Sequence, residues 1–357
     1  MKVYIKFITL IFLKSLFFVT FVMLSLVFIL NLLSELEFFK DENVKLGFTF
    51  LLSLINSPSQ LFEMFPFILL ITVQLFFIKL FDNKEIEIFK YSGLKNSTII
   101  KILSILSITT GIFIITVFYS FSSNLKNIYL EFKSVYTSDG KYLAVITKNG
   151  LWIKDKIDNK IIITNSFSID GNFLNNSFIS EFDEDFNIIR NINSEKIDIS
   201  KKQWKIFNAK IYKKNKYKTE EIIFLNSNFD VNRIKTLYSN LSALNFFELF
   251  ALKENYKKLN YSTTEVDLHL LKLLSYPVYL LLITLFSSLI MLNIKQVKGT
   301  TFKISIGLFF SVIIYYMNNF SYALGGTERI PLILSVLLPL LILTIIDSLM
   351  LYKVNEK

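Results

Sequence analysis

The sequence predicts an α-helical membrane protein with six transmembrane helices and an extracytoplasmic antiparallel β-jelly-roll insertion. Three apolar runs precede a polar block, residues 122–270, and three follow it. A helix needs roughly 20 mainly apolar residues to cross a hydrocarbon core of about 30 Å. Lipid offers no partner for an unpaired backbone N–H or C=O, so such runs must be helical. The six runs are Phe7–Leu33, Leu61–Phe81, Ser97–Phe121, Leu273–Leu292, Ile304–Tyr322 and Ile330–Leu351.

The composition excludes several classes of protein. The chain has 52% apolar residues, no cysteine and one histidine, so structural disulfides, thiol nucleophiles and Cys- or His-rich metal sites are ruled out. We therefore expect neither a catalytic site nor a cofactor. The net charge of +10 is typical of lysines that lie beside anionic lipid headgroups, and we expect no binding of nucleic acid.

Lysine placement predicts the orientation, because basic residues in short flanking segments stay in the cytoplasm. One side of the membrane receives Lys2 and Lys6, the loop lysines 84, 90, 95 and 101, the loop lysines 295, 298 and 303, and Lys353 and Lys357. The opposite side receives the acidic segment 35–42 and the polar block. Both termini are expected in the cytoplasm and the polar block outside it.

The sequence divides into an N-terminal membrane half (1–121), an outer domain (122–270) and a C-terminal membrane half (271–357). Short β-branched and aromatic stretches in the outer domain predict an antiparallel sandwich or open jelly roll, with Trp152 as a core anchor. Turns are expected at Asp139-Gly140, Asn149-Gly150 and Asp170-Gly171. The strand candidates are Tyr142–Thr147, Leu151–Ile153, Lys160–Thr164, Phe186–Ile189 and Trp204–Phe207.

A helical pattern follows the strands, within residues 230–258. Leu237, Leu241, Leu244 and Phe247 recur at three- and four-residue spacing, which indicates one apolar stripe. This segment leads the chain back to the fourth membrane span.

A short helix is predicted at residues 82–93, between the second and third spans. Asp82 is a candidate N-cap, Glu85 places an acid in the first turn, and Gly93 suits the C-terminus. Spacing alone leaves two interpretations, an inert connector on the headgroups and a docking helix for a cytoplasmic partner.

Two further features have simple structural interpretations. His269 lies at the edge of the fourth span beside Asp267 and Lys272, where packing at the interface is favoured over proton transfer. The lysine-rich stretch 201–218 alternates with aromatic residues, which favours solvated strand faces over an anion-binding rim.

The segment Glu85-Ile-Glu-Ile-Phe-Lys-Tyr-Ser-Gly93 resembles the S-E-L-x-x-x-x-A-x-G coupling-helix motif of the LptF/LptG permeases of lipopolysaccharide export. Asn149-Gly-Leu-Trp-Ile-Lys-Asp155 resembles the G-L-W-x-[KR]-D strand of the LptG type. Further similarities occur in the same order along the chain, at Ser57-Pro58, Phe65-Pro66, Leu268–Pro277, Ile330-Pro331 and Leu338-Pro339.

This resemblance implies a half-transporter that extracts lipopolysaccharide from the inner membrane and does not itself hydrolyse ATP. The implied partners are an LptF-type permease, a dimer of an LptB-type ATPase, a single-span LptC-type jelly-roll protein and an LptA-type periplasmic bridge. The implied ATPase contacts are Asp82, Glu85, Glu87, Phe89 and Gly93.

The resemblance also places a substrate path against the first and fifth spans. Aligned on Pro58, the residues Asn31, Glu37 and Phe38 stand near positions that are often basic in the family, so the nearest candidate basic rim is Lys40 and Lys45. The candidate apolar wall is Phe17, Phe18, Phe21 and Phe28 from the first span with Phe309, Phe310, Ile313 and Tyr316 from the fifth.

Two other functions compete with lipid export. A mechanotransmitting or sensor subunit would read a ligand outside and signal inward without carrying lipid, and tightly packed spans would favour it. A lipid-modifying enzyme would need clustered acids, bases or metal ligands within the spans, which the sequence lacks. A cavity lined by apolar residues would favour export.

Overall fold

The computed structural model describes residues 3–40, 44–134, 136, 151–157, 160–213, 216–231, 234, 240–258, 263–293 and 299–355. The chain divides into two compact units, a membrane unit (Met1–Lys126 with Thr264–Lys357) and a sheet unit (Asn127–Thr263). The described helices are α1 (Val3–Phe38), α2 (Leu46–Asp82), α3 (Glu85–Tyr91), α4 (Asn96–Phe113), α5 (Tyr119–Ser134), α6 (Phe246–Lys258), α7 (Thr264–Asn293), α8 (Thr300–Gly326) and α9 (Leu332–Asn355).

Among the residues that the structure describes, six helical segments are long and apolar enough to cross a bilayer, which confirms the predicted helical class. They are α1, α2, the continuous α4–α5 segment with its π-helical turn at Ile114–Phe118, α7, α8 and α9. Helix α2 begins 15 residues before the predicted Leu61. Its early turns carry Thr49, Ser53 and Asn56, whose polarity hides the helix from a hydropathy scan although all three side chains are buried.

Prolines shape the centre of the membrane unit. Pro66 has no N–H to donate to the carbonyl of Phe62, one helical turn earlier. The Tyr276 hydroxyl, on α7, donates to that carbonyl oxygen at 2.6 Å, and its ring stacks on Phe62 with centroids 5.0 Å apart. The hydrogen bond lost to proline is thus replaced by one that fixes α7 against α2.

Helix α4 approaches α7 closely because each presents small or hydroxyl side chains. A Cβ atom on Gly111 would lie 2.9 Å from the Cα of Pro277. One helical turn away, the Ser107 hydroxyl donates to the carbonyl oxygen of Leu280 at 2.9 Å and accepts from the Thr284 hydroxyl at 2.9 Å. Close contact and interhelical hydrogen bonds are the usual means by which helices associate in lipid.

A buried polar network joins α1, α2 and α5. The Lys126 ammonium donates to Asn56 Oδ1 at 2.7 Å, the Asn56 amide donates to Asn31 Oδ1 at 3.4 Å, and the Asn31 amide donates to the Ser57 hydroxyl at 3.2 Å. Asn31 therefore faces α2, inside the membrane unit.

The described part of the sheet unit contains six antiparallel strands in sequence order, a jelly-roll-like arrangement that confirms the predicted class of this domain. Asp170 pairs with Phe173 across a two-residue turn, which confirms the Asp170-Gly171 turn, whereas Tyr142–Thr147, Asp139-Gly140 and Asn149-Gly150 lie outside the described residues. Strand β3 matches none of the strand candidates named from the sequence, and β6 was indicated only at its start, by the strand faces expected in the lysine-rich stretch 201–218. The six strands are β1 (Leu151–Ile157), β2 (Lys160–Asp170), β3 (Phe173–Phe182), β4 (Ile188–Asp198), β5 (Gln203–Lys213) and β6 (Lys216–Asn226).

The prediction that Trp152 anchors the core is wrong. Its neighbours Leu151 and Ile153 point inward with at most 1% exposure, so the alternation of a strand turns Trp152 outward, and it is 51% exposed. Trp204 on β5 is the buried tryptophan, at 1% exposure, and its indole N–H donates to the carbonyl oxygen of Phe229 at 2.7 Å.

A line of irregular positions crosses the sheet. Asn176 on β3 and Asn208 on β5 both have φ near +48°, and Glu195 on β4 lies between them in register. The inward set on β5 switches there from Trp204 and Ile206 to Ala209. An extra residue in the strand explains this switch, as in a β-bulge.

Asp155, the last residue of the segment Asn149–Asp155, fastens β1 to the chain that follows β6. Its buried carboxylate accepts hydrogen bonds from the Ser227 hydroxyl at 2.9 Å, from the Asn228 backbone N–H at 2.8 Å and from the Asn228 amide at 2.8 Å. The first strand and the end of the last strand are thereby held together.

Helix α6 begins at Phe246, so the predicted stripe shifts. Leu244 is buried before the helix begins, and Phe247 is wrongly placed on the stripe because it is 85% exposed. Leu249 and Leu252 form the buried side of α6, and Leu237 lies outside the described residues.

Candidate functional site: the short helix α3 and a cavity between α2, α7 and α8

Helix α3 starts at Glu85, and Asp82 does not cap it. Asp82 is the last residue of α2, and Lys84 occupies the cap position in a left-handed conformation with φ 58°. Only Asn83 and Lys84 separate the two helices, so α2 continues to Asp82, the residue that the sequence pattern predicted as the N-cap of α3. Glu85 Oε1 accepts from the Asn83 amide at 3.3 Å.

The C-terminus of α3 is closed by Gly93, whose φ of +77° suits glycine. The Gly93 N–H donates to the carbonyl oxygen of Lys90 at 3.0 Å, and the Leu94 N–H donates to that of Phe89 at 2.9 Å. These two bonds form the Schellman arrangement that ends a helix and redirects the chain.

The side chains of α3 divide into an inner and an outer face. Ile86 is buried, and the Phe89 ring packs edge-on against Phe7 of α1 with centroids 6.0 Å apart. Glu87, Ile88 and Tyr91 are exposed on the opposite side of α3. Ile88 is 59% exposed and Tyr91 is 90% exposed. We call Glu87, Ile88 and Tyr91 the α3 outer face.

A cavity of about 690 Å³ lies between α2, α7 and α8, within the membrane unit. Aromatic rings dominate its wall, and it carries one carboxylate, Glu63, and one ammonium, Lys272. The Lys272 Nζ lies 5.5 Å from the centroid of the Tyr322 ring. Other lining residues include Tyr276, Tyr279, Tyr315, Tyr316, Ser275, Ser311, Asn318 and Asn319.

The wall of the cavity suits an amphipathic molecule, because it combines aromatic rings with hydroxyl and amide groups. Within the described ranges, no group of three or more His, Asp or Glu side chains is close enough to hold a metal ion.

The model of the lipopolysaccharide export system permease LptF/LptG family matches residues 6–353. The chain belongs to this family. Among curated proteins, a search found no match. Membership together with the six apolar segments makes the permease a multi-pass inner-membrane protein, and the family consists of permeases and not of enzymes.

The permease brings only one predicted path residue, Tyr316, into the cavity. Phe28 packs against Phe50 of α2 with centroids 5.0 Å apart, and Phe310 packs against Phe286 of α7 at 5.5 Å. Lys40 and Lys45 are exposed at the connection between α1 and α2 and do not line the cavity. The remaining path residues Phe17, Phe18, Phe21, Phe309 and Ile313 are exposed on the outer sides of α1 and α8.

Sequence reasoning missed Glu63 and most of the cavity tyrosines. Glu63 follows Phe62 in a run that is otherwise apolar from Leu61 to Pro66, and a single acid does not interrupt the hydropathy of such a run. An ionisable residue at the edge of a span is a signal for a functional position, and this signal was available.

His269 packs against the third span. Its Nε2 lies 3.0 Å from the Tyr119 hydroxyl, directly after the π-helical turn of that span. In the lysine-rich stretch, Lys210, Lys216 and Lys218 are exposed on β5 and β6, and Lys218 pairs with Glu220 at 2.9 Å. Both solvated strand faces and an anion-binding rim are compatible with this exposure.

Proposed function

We propose that this permease is the LptG-type half of a transporter that extracts lipopolysaccharide from the inner membrane and passes it toward a periplasmic bridge. The observation that carries the proposal is the cavity between α2, α7 and α8 in a chain of this family. Lysine placement supports an orientation with cytoplasmic termini and a periplasmic sheet unit. A sensor subunit with tightly packed spans would need no such cavity.

An LptF-type permease is the proposed partner of α1 and α8. Both helices expose apolar side chains on most of their surface, including Phe17, Phe21, Phe309 and Phe320. A second permease against these helices would enclose the cavity and leave a lateral opening for the lipid.

The sheet unit is proposed to join the jelly rolls of LptC-type and LptA-type partners. Among the described residues, β1 pairs only with β2, and β6 pairs only with β5. A strand edge presents backbone N–H and C=O groups to which another strand can add.

Energy is proposed to come from an LptB-type ATPase dimer that binds helix α3. The α3 outer face, with the neighbouring Glu85, offers two apolar side chains beside acids, which suits a groove with a basic rim. Phe89 packs against Phe7 and would instead transmit movement of α3 to α1.

The double variant Ile88→Asp, Tyr91→Asp tests this docking. We expect co-purification of the ATPase to fall at least tenfold and lipopolysaccharide release to be lost, because charge replaces the apolar contacts. Tyr352→Asp is the matched control, since Tyr352 is 68% exposed on α9 and lies outside α3. Glu85→Lys is expected to keep assembly but to uncouple ATP hydrolysis from release. Normal assembly and coupled release in the double variant would rule out docking through this face.

A further inference from the structure

We propose that the cavity selects a lipid headgroup without net negative charge, which it binds through sugar hydroxyls and amides and not through phosphates. This inference rests on the proposed function, because it concerns the lipid that the cavity would receive. It names a substrate class: a lipid A whose phosphates are absent or capped by an amine.

The charges of the cavity wall cancel. Glu63 is the one carboxylate and Lys272 the one ammonium among the lining residues. Glu63 is exposed on α2, whereas Lys272 is half-buried and lies over the Tyr322 ring. The carboxylate is thus the more accessible of the two charges, and it would repel a phosphate and attract an amine.

Four other basic residues near this end of the described spans do not line the cavity. The Lys126 ammonium donates to Asn56 at 2.7 Å in the buried network between α1, α2 and α5. Arg329 lines a separate shallow cleft together with Glu328. Lys40 and Lys45 lie outside the cavity wall.

Phosphate recognition in proteins relies on arginine or several lysines, which supply charge-assisted hydrogen bonds. A headgroup with two phosphates would meet one half-buried ammonium and one exposed carboxylate in this cavity. It would lose its hydration without receiving equivalent partners, which disfavours binding.

The polar groups that the wall does offer are neutral. Tyr315, Tyr316 and Asn319 are exposed toward this region of α8, and they combine flat apolar rings with hydroxyl and amide groups. Such groups donate and accept hydrogen bonds, as sugar hydroxyls and acyl amides do. Tyr276 is excluded as a donor to the ligand because its hydroxyl already donates to Phe62.

The test uses the complete transporter in nanodiscs that contain equal amounts of three forms of lipid A: bisphosphorylated, dephosphorylated, and capped on its phosphates with ethanolamine. Lipid retained by the complex is quantified by native mass spectrometry. We expect the two neutralised forms to be enriched at least fivefold over the bisphosphorylated form. Enrichment of the capped form over the dephosphorylated form would show that an amine pairs with Glu63, and the reverse would show that hydroxyls and amides suffice.

Two charge variants locate the selectivity. Glu63→Lys should shift retention toward the bisphosphorylated form by at least fivefold. Glu265→Lys adds the same charge at an exposed position near the start of α7, outside the cavity wall, and should change nothing.

Preferential retention of the bisphosphorylated form by the unaltered complex would overturn the inference and leave the transport function intact. No response to Glu63→Lys would overturn it as well. Retention of glycerophospholipids with no form of lipid A would overturn the proposed function too.

Discussion

The central helices α2 and α7 differ from the outer helices α1 and α8 in how much of their apolar surface the chain itself covers. In the most apolar stretch of each, 67% of the residues of α2 and 61% of those of α7 are buried, against 22% for α1 and 28% for α8. Hydropathy does not separate the two pairs, because α1 is the most apolar of the four helices and α8 the least. The difference lies in contacts, and α1 and α8, like α4–α5 and α9 at 28% buried, leave much of their apolar surface to lipid or another protein.

Each outer helix nevertheless has one side that packs against the rest of the chain. On α1 the buried residues follow a single stripe that includes Ile8, Phe12, Val19 and Val27, and this stripe packs on α2. A helix that is apolar all round but covered on one stripe only is stable where its remaining surface meets lipid or a partner. The comparison therefore separates the buried apolar residues, which stabilise the fold, from the exposed apolar residues, which contact lipid or a partner.

The sheet unit also has one buried and one exposed tryptophan, and substitution of the buried one is the change with the largest expected effect on stability. Trp204→Ala should lower the free energy of unfolding of this unit by about 3–5 kcal/mol, because it removes a buried indole. Hydrogen exchange of β2–β5 peptides in the full chain measures the loss. Trp152→Ala, at the exposed tryptophan, should change protection far less, and equal losses would contradict the assignment of the core.

Helices α4 and α7 pack so closely at Gly111 that a larger residue there should destabilise the protein. Gly111→Val would force a Cβ against the backbone of Pro277, and we expect a loss of about 1–3 kcal/mol, seen as a lower melting temperature of the purified protein. Gly47→Val is the control, since no atom lies within 4 Å of a Cβ there. Similar melting temperatures for the two variants would weaken the claim that the centre is tightly packed.

Removal of one hydroxyl tests the bond between the two central helices. Tyr276→Phe leaves the Phe62 carbonyl without the donor that Pro66 cannot supply, and we expect a loss of about 0.6–2 kcal/mol in thermal unfolding. Tyr315→Phe, at a residue that is 55% exposed on α8, should be nearly neutral. A neutral Tyr276→Phe would show that the helix compensates for the proline in another way.

The smallest effect concerns the turn between β3 and β4, outside both groups of helices. Hydrogen bonds from Asn187, and one from the Asp185 backbone, lower the pKa of the Asp183 carboxyl. A depressed pKa adds stability above the unfolded value of about 3.9, and this stability is lost as the pH falls through the folded value. Melting between pH 6 and pH 3 should be slightly less acid-sensitive in Asp183→Asn than in the unaltered chain. Identical pH profiles would contradict this role.

Hydropathy and strand patterns predicted the architecture because both depend on local periodicity. They failed where long-range contacts decide. The prediction that Trp152 lies in the core failed because the strand buries Leu151 and Ile153, and the alternation of β1 then turns Trp152 outward. The predicted start of α2 at Leu61 is too late. The earlier turns of this helix contain polar residues, and Asn56 and Ser57 are buried there because they find a partner on α1.

The candidate site was predictable only in part. The ends of α3 follow from Glu85 and Gly93, which act locally, but the direction of Ile88, Phe89 and Tyr91 depends on where α1 packs. The cavity joins residues more than 200 positions apart, so spacing along the chain carries no signal for it. Phe17, Phe18 and Phe21 stay a prediction for the lipid path, on the outer side of α1.

Site-specific photo-crosslinking in the assembled transporter tests most directly that lipid enters the cavity. Crosslinkers are placed at Tyr316 on the cavity wall, at Phe21 on the outer side of α1 and at Ile345, which is 60% exposed on α9. The account predicts the strongest capture of lipopolysaccharide at Tyr316, weaker capture at Phe21 and background at Ile345. Equal capture at all three positions would show that the probes sample surrounding lipid and would contradict the account.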